Sequence, residues 1–151
     1  MPDLTREQQD RQAWMSLAAK APPARLAALM STLGDLPGFE WLQPPEIGAV
    51  MVRGRSGGTG APFNLGEMSV TRCSLALNSG EVGHGWVQGR DKDHARRAAL
   101  LDAMMQTGRA DDLRARVLGP LQDQMRDARR MRAEKAAATK VEFFTMVRGE
   151  D

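Results

Sequence analysis

The stretch EVGHGWVQG at residues 81–89 constrains the fold more than any other part of this sequence. Its alternation is typical of a β-strand, in which successive side chains point to opposite faces. The larger side chains fall on one face, whereas the other face carries mainly glycine, at Gly83, Gly85 and Gly89. A strand face with almost no side chains lets another backbone or a helix approach closely. The sequence therefore predicts unusually tight packing at this strand.

The same strand leads through a tight turn into a predicted helix that begins near Asp91. Asp91 is a good N-cap residue, because its carboxylate accepts hydrogen bonds from the unpaired N–H groups of the first turn. Arg90 and Lys92 place positive charge beside this helix start. Two interpretations stay open. The junction is either a capped structural element or a site at which Arg90 and Lys92 contact a polyphosphate.

A glycine-rich segment, GRSGGTGAPF at residues 54–63, is a second candidate for anion binding. Clustered glycines can turn backbone N–H groups toward a phosphate. No Gly-Lys-Ser/Thr follows, and the segment leads into a strand rather than a helix, so it is not a P-loop. The alternative is a mobile hairpin loop. The candidate ligand-binding residues here are Arg55, Gly57, Gly58, Thr59 and Gly60.

The order of periodic segments predicts an α+β fold in one domain of 151 residues. Helical spacing dominates residues 5–34, where Thr5 and Gln8 form a capping-box pattern. Strand patterns dominate residues 39–90, with separate strands predicted at FEWLQ (39–43) and IGAVMVRGR (47–55). Short connections favour an antiparallel meander of about four strands. Helical spacing returns at residues 91–139. We expect a small sheet with helices on one side.

The C-terminal segment, residues 141–151, is rich in apolar side chains. Such a segment is normally docked, because exposed apolar clusters promote association. It is expected either to add a strand to the sheet or to enter a partner. The candidate partner-interface residues are Phe143, Phe144, Met146, Val147 and Arg148.

Basic residues are frequent between Arg109 and Lys135, although the net charge of the chain is only +2. These residues form either a solvated helix face or a face that docks against an acidic partner or an anionic ligand. A stand-alone nucleic-acid-binding module is a weak alternative, because the low net charge and the lack of an aromatic stacking face argue against it.

The composition argues against several other classes of protein. Cys73, His84 and His94 are the only cysteine and histidine side chains, which are too few for a structural zinc site. Neither a nucleophile–base spacing nor an apolar run long enough for a membrane span is present. We therefore predict a cytoplasmic chain with no catalytic residue, no metal site and no cofactor of its own.

Four sequence blocks together resemble the PhnG family, which belongs to the bacterial carbon–phosphorus lyase system of phosphonate breakdown. The blocks are GGTG with the following F and G, then TR, then G…WVQGRDK.HA…A..DA.MQ, and finally FFTMVRG at residues 143–149. The resemblance runs from RQAWMSLAA at residues 11–19 to the C-terminus. Residues 106–140 match only in helical character.

The resemblance implies a subunit of a core complex with PhnH, PhnI and PhnJ, built as a dimer of heterotetramers. It implies that PhnJ carries the iron–sulfur cluster and the S-adenosylmethionine chemistry. PhnG, PhnH and PhnI, together with PhnL, are associated with an earlier step, in which a phosphonate replaces the adenine of ATP to give ribose 1-phosphonate 5-triphosphate. The resemblance assigns PhnG no catalytic residue. An obligate, non-catalytic subunit is the favoured function, and a direct contribution of Arg55, the glycine loop and Arg90 to the triphosphate site is the alternative.

Overall fold

The computed structural model describes the backbone of residues 2–148 and the side chains of residues 2–140. Within this range the elements follow the order predicted for an α+β chain, with helices before and after a sheet. They are α1 (Arg6–Lys20), α2 (Pro23–Ser31), β1 (Phe39–Arg55), β2 (Pro62–Leu77), β3 (Val82–Gln88), α3 (Lys92–Met104), α4 (Ala110–Leu113) and α5 (Gly119–Arg148). A π-helical turn at Arg114–Leu118 joins α4 to α5.

The predicted start of the first helix is confirmed. The Gln8 N–H donates to Thr5 Oγ1 at 3.2 Å, and the Thr5 N–H donates to Gln8 Oε1 at 2.9 Å. These two bonds satisfy groups that a helix N-terminus otherwise leaves unpaired. Pro23 begins α2, where a missing N–H costs nothing.

The sheet has three antiparallel strands in the order β1-β2-β3 among the described residues, rather than about four. The two strands predicted at residues 39–43 and 47–55 are one 17-residue strand, β1. Gln43 lies opposite Ser74 and Glu46 lies opposite Arg72, so the two prolines between them form an irregularity in the register. Proline is tolerated there because β1 is an edge strand and the N–H it lacks would sit at a bulge.

The core lies between the sheet and the helices. On β3 the residues Gly83, Gly85 and Val87 are buried, while the alternate side chains are exposed. α3 covers the buried face, and α1 and α2 pack beside α3. The largest fully buried apolar side chains come from the last two strands, from α2 to α5 and from the π-helical turn: Leu26, Leu75, Val87, Leu101, Met104, Leu113, Val117 and Leu121. This arrangement confirms the prediction of helices on one side of the sheet.

A two-stranded arm projects beyond the three-stranded part. β3 pairs with β2 only from Val70 to Ala76, whereas β1 and β2 continue to pair up to Arg55 and Pro62. We define the arm as residues 49–69. Most of its side chains are exposed, so the helical layer does not cover it.

The last helix is longer than the sequence pattern predicts. It was expected to end near residue 139, but the backbone remains helical to Arg148, and at about 1.5 Å per residue its 30 residues span roughly 45 Å. Residues 141–148 therefore do not add a strand to the sheet. The side chains of Phe143, Phe144, Met146, Val147 and Arg148 lie outside the described part of the structure. No helix in the described range is both long and apolar enough to cross a membrane.

Candidate functional site

β3 and α3 approach each other more closely than side chains would permit. A Cβ atom on Gly83 would overlap the carbonyl oxygen of Ala99 and lie 2.7 Å from the backbone nitrogen of Ala103. A Cβ atom on Gly85 would overlap the carbonyl oxygen of Ala95. Separations this short do not occur for real Cβ atoms, so only glycine fits at both positions. The predicted close approach to the glycine face is confirmed.

The turn between β3 and α3 is the capped junction that the sequence suggested. Gly89 has a φ of +90°, which favours glycine, and its carbonyl accepts a hydrogen bond of 2.8 Å from the buried Thr71 hydroxyl. The Asp91 carboxylate accepts from the His94 N–H at 2.9 Å. The buried His94 ring donates from Nε2 to the Ala18 carbonyl at 2.9 Å, which ties α3 to α1. Most residues of the junction therefore stabilise the fold.

A buried carboxylate joins α1, β3 and α3. Asp102 is 1% exposed. Its Oδ1 accepts from Arg11 Nε at 3.1 Å and from Trp14 Nε1 at 2.8 Å, and its Oδ2 accepts from Arg11 Nη2 at 2.8 Å and from the His84 backbone N–H at 2.9 Å. The hydrogen bond with Asp102 raises the pKa of Arg11 above its ordinary value. Sequence reasoning missed this cluster, although an acidic residue inside the buried stripe of a helix was a signal for it.

Arg90 and Lys92 lie at the junction with exposed side chains. Neither has a carboxylate within ion-pair distance in the described part of the chain. The neighbouring acid Asp93 instead pairs with Arg96 at 3.6 Å. Arg90 and Lys92 are therefore available to a ligand or partner, and nothing in the packing of the junction requires their charge.

The glycine loop forms the tip of the arm. Residues 56–58 make a 3-10 turn in which Gly57 and Gly58 have φ values of +62° and +80°. The Gly60 N–H donates to the Ser56 carbonyl at 2.8 Å, which closes the turn. These glycines are thus explained by the turn itself, while Arg55 and Thr59 are exposed.

The structure does not bring the two candidate anion sites together. The Gly89 N–H donates to the Ser69 carbonyl, which fixes the junction beside the base of the arm. The tip lies seven residues farther along β2, at Pro62, and this corresponds to roughly 23 Å at the usual rise of a strand. Within this chain, the loop and the junction are separate positions.

The uncovered face of the sheet carries a polar pair that the sequence did not reveal. Ser74 Oγ lies 2.7 Å from His84 Nδ1 across β2 and β3, and Trp86 on the same strand is 53% exposed. The alternation of β3 placed His84 and Trp86 on one face, but the partner strand and its register could not be read from sequence. In a nucleophile–base–acid arrangement a carboxylate orients the ring of the histidine base. Here Asp102 accepts from the backbone N–H of His84 and not from its ring, so the Ser74–His84 pair differs from that arrangement.

A cleft of about 490 Å³ borders this face between α1 and β3. Arg11, Gln12, His84 and Trp86 contribute to its wall, together with apolar side chains of α1. Its size falls within the usual range of ligand pockets. The cleft adds an apolar surface next to the exposed Trp86.

Cys73 is not a reactive thiol. It is buried in β2, and this burial raises the pKa of its thiol to about 11. At neutral pH the group is therefore protonated and a poor nucleophile. In the described range, no three side chains among His, Cys, Asp and Glu form a group that could hold a metal ion.

Substitutions at the junction separate its structural role from a role in anion binding. We expect Asp91→Ala to lower the free energy of unfolding by about 1 kcal/mol, because it removes a helix cap. Replacing both Arg90 and Lys92 by glutamine should change stability by about 0.5 kcal/mol or less, because both side chains are exposed. Thermal unfolding of the isolated chain measures both effects.

If the junction contacts a triphosphate, the Arg90→Gln and Lys92→Gln double variant should weaken ATP binding to the assembled complex by about tenfold or more. The Asp91→Ala variant serves as the control, since it should leave ATP affinity little changed. An unchanged affinity in the double variant would assign the whole junction to structure.

Comparison with known proteins identifies the family to which this chain belongs. Residues 9–149 match the family described as phosphonate metabolism protein PhnG. The alpha-D-ribose 1-methylphosphonate 5-triphosphate synthase subunit PhnG of Rhizobium meliloti (strain 1021) is 45% identical over 146 residues, which cover 93% of this chain and 90% of that protein. A match of this extent includes the glycine strand, the capped junction and the Asp102 cluster. The chain therefore belongs to the PhnG family of phosphonate metabolism proteins.

Proposed function

We propose that this chain is an obligate, non-catalytic subunit of a ribose 1-methylphosphonate 5-triphosphate synthase, whose main role is assembly. The 45% identical relative is named as a subunit of that synthase, which supports the proposal. The chain's own chemistry agrees with it, since Cys73 is protonated and, among the described residues, no carboxylate orients the ring of His84 beside Ser74. The clusters that the structure does contain, around Asp91 and Asp102, serve the fold.

The observation that carries this proposal is the arm of residues 49–69. It exposes Met51, Phe63 and Leu65, which are 51%, 46% and 62% accessible. An isolated two-stranded hairpin is at best marginally stable in water, and contiguous exposed apolar side chains mark interaction surfaces. A partner that covers the arm would supply the missing burial.

The proposed partners are PhnH-, PhnI-, PhnJ- and PhnL-like proteins, in a dimer of heterotetramers. ATP and an alkylphosphonate would be the substrates of the assembly, and the iron–sulfur cluster and S-adenosylmethionine would belong to the PhnJ-like subunit. Membership of the PhnG family supports this set of partners. A second candidate function is a direct contribution to the triphosphate site, which the exposed and unpaired Arg90 and Lys92 favour among the described residues.

Serine substitutions on the arm test the assembly role. We expect the double variant Phe63→Ser and Leu65→Ser to keep the helical content of the isolated chain but to lose co-purification with the other subunits. Adenine release from ATP in the presence of methylphosphonate should fall in parallel. The matched control is Leu4→Ser with Leu36→Ser, which alters two similarly exposed leucines outside the arm, 47% and 43% accessible.

Two outcomes would contradict the proposal. The first is full assembly and activity in the arm variant, which would show that the arm is not an interface. The second is adenine release by the isolated, unmodified chain well above background, which would make the chain an enzyme in its own right.

Removal of residues 141–151 tests the proposed interaction segment. We expect the truncated chain to remain folded, because α5 beyond Met125 is exposed up to Lys140 and the core lies upstream. Co-purification with PhnI-like and PhnJ-like partners should be lost, as measured by pull-down from co-expressing cells. Unfolding of the truncated chain would instead place this segment in its own core, and an intact complex would exclude both roles.

A further inference from the structure

A groove of about 530 Å³ runs between α1, the π-helical turn and the first turns of α5. Its floor is apolar and consists of side chains from all three elements: Trp14, Leu17, Leu118 and Met125. The junction, the glycine loop and the arm do not contribute to this groove, whereas the basic region between Arg109 and Lys135 does.

The rim of the groove is strongly cationic. Lys20, Arg114, Arg126 and Arg129 line it, and Asp10 is the one acidic side chain among the lining residues. None of these four cations has a carboxylate within 4 Å in the described range of the chain. Four positive charges therefore face one cleft with almost no compensation from the chain itself.

Two arginines just outside the groove have acidic partners. Arg116 pairs with Asp112 at 2.8 Å, and Arg130 pairs with Asp127 at 3.6 Å. Arg114, by contrast, places its guanidinium 5.7 Å from the centroid of the Trp14 ring, which is cation–π geometry rather than an ion pair. Arg109, Arg132 and Lys135, which lie outside the groove, also lack a carboxylate within 4 Å among the described residues. What distinguishes the groove is that four such cations line one cleft with an apolar floor.

The surface that borders the groove extends along α5. From Arg126 to Lys140 every side chain is exposed, so residues 2–140 leave about 22 Å of this helix uncovered. An open groove that continues along a helix suits an elongated occupant better than a compact one.

We propose that this groove binds an acidic amphipathic helix of another synthase subunit. This inference rests on the proposed function, because it assumes that the chain works within that assembly. A helix seated in a groove buries its apolar side chains on the floor and turns its charged flanks to the rim. Carboxylates at helical spacing complement Lys20, Arg114, Arg126 and Arg129, and opposite charge across an interface gives specificity and a fast association rate.

Two other occupants fit the groove less well. A small polyphosphate would satisfy the rim but leave the apolar floor of Leu17, Leu118 and Met125 without a partner. A second copy of α5 would bring further positive charge, since six basic and three acidic side chains lie between Gly119 and Lys140. Like charges placed together across an interface are unfavourable.

Charge reversal in the groove tests the inference. We expect Arg126→Glu with Arg129→Glu, in the full chain co-expressed with the other subunits, to weaken association by about tenfold or more. The matched control is Arg130→Glu with Lys135→Glu, which makes the same change in net charge on the same helix outside the groove. The control should associate like the unmodified chain. Subunit stoichiometry after tag purification and the dissociation rate at two salt concentrations are the readouts.

The occupant can be identified directly with a cross-linker attached at Gln122→Cys, because Gln122 lines the groove and Cys73 is buried. The expected cross-link falls in a partner segment whose acidic residues recur every three or four positions. A cross-link to a basic or uncharged segment would overturn the inference, as would equal loss of association in the groove variant and its control.

The remaining outcomes separate the inference from the proposed function. If the unmodified chain associates with no synthase subunit, the proposed function fails. If it associates and the groove variant associates equally well, only the groove inference fails. Binding of inorganic triphosphate to the isolated chain that is lost in the groove variant would make the groove a small-anion site. Self-association lost in the same variant would make the occupant a second copy. Either result overturns the proposal.

Discussion

Asp102→Ala is expected to lower the free energy of unfolding by about 3 kcal/mol, because a buried polar group left without a hydrogen-bond partner costs about 1–3 kcal/mol and this change leaves more than one. The carboxylate is 1% exposed and accepts hydrogen bonds from Arg11, Trp14 and the His84 backbone. Alanine would leave the indole N–H and the His84 N–H without an acceptor in the interior. A loss of this size is a large part of the total stability of an ordinary domain.

A surface ion pair of the same chemistry provides the control. Asp112 pairs with Arg116 at 2.8 Å, but both side chains are about half exposed, so Asp112→Ala should cost about 1 kcal/mol or less. Urea denaturation of the two variants gives the comparison. If Asp102→Ala does not fold, Asp102→Asn keeps the shape and can still accept one or two of the hydrogen bonds, so it should give an intermediate loss. Equal losses for Asp102→Ala and Asp112→Ala would contradict the central role of the cluster.

Local signals in the sequence were sufficient for much of the fold. The caps at Thr5 and Asp91 were predictable because each depends on residues only three positions apart. The glycine face of β3 was predictable because strand alternation has a fixed period. These features give the α+β class and the capped junction without any knowledge of long-range pairing.

Features that depend on pairing between residues far apart in the sequence were not predictable. The fusion of two predicted strands into β1 depends on β1 being at the edge of the sheet, where Pro44 and Pro45 fall at a shift in the register and proline is tolerated. The projecting arm arises because β3 is shorter than β1 and β2. No local sequence pattern indicates how far each strand extends past its neighbour. Ser74 and His84 meet only through the register of β2 against β3.

The candidate sites show the same division. The glycine loop and the junction each looked suited to an anion from composition alone. The distance between them depends on how the three strands pair, which the composition does not indicate. The groove residues come from α1 and from elements about 100 residues later, so no sequence window contains them together. Only the excess of basic residues between Arg109 and Lys135 hinted that this region faces an acidic partner.

Gly85→Ala is expected to lower the free energy of unfolding by about 3 kcal/mol, at the upper end of the usual cost of overpacking. The new methyl group would overlap the carbonyl oxygen of Ala95 and lie 3.0 Å from the backbone nitrogen of Ala99. Both are backbone atoms of α3, so no side-chain rotation can relieve the contact and the whole helix must move. Gly83→Ala should have a similar effect.

Gly48→Ala is the matched control, because Gly48 lies in β1 with no atom within 4 Å of the position that a Cβ would take. That substitution should change stability by about 0.5 kcal/mol or less. Chemical denaturation of the variants, with the unmodified chain as reference, measures the difference. A loss at Gly85 no larger than at Gly48 would show that α3 can move away from β3 at little cost. Because Asp91 caps α3 and Asp102 lies within it, such a movement would disturb the capped junction and the hydrogen bonds of Asp102 together. A large loss confined to the two β3 glycines would therefore identify the spacing between β3 and α3 as the constraint that both clusters depend on.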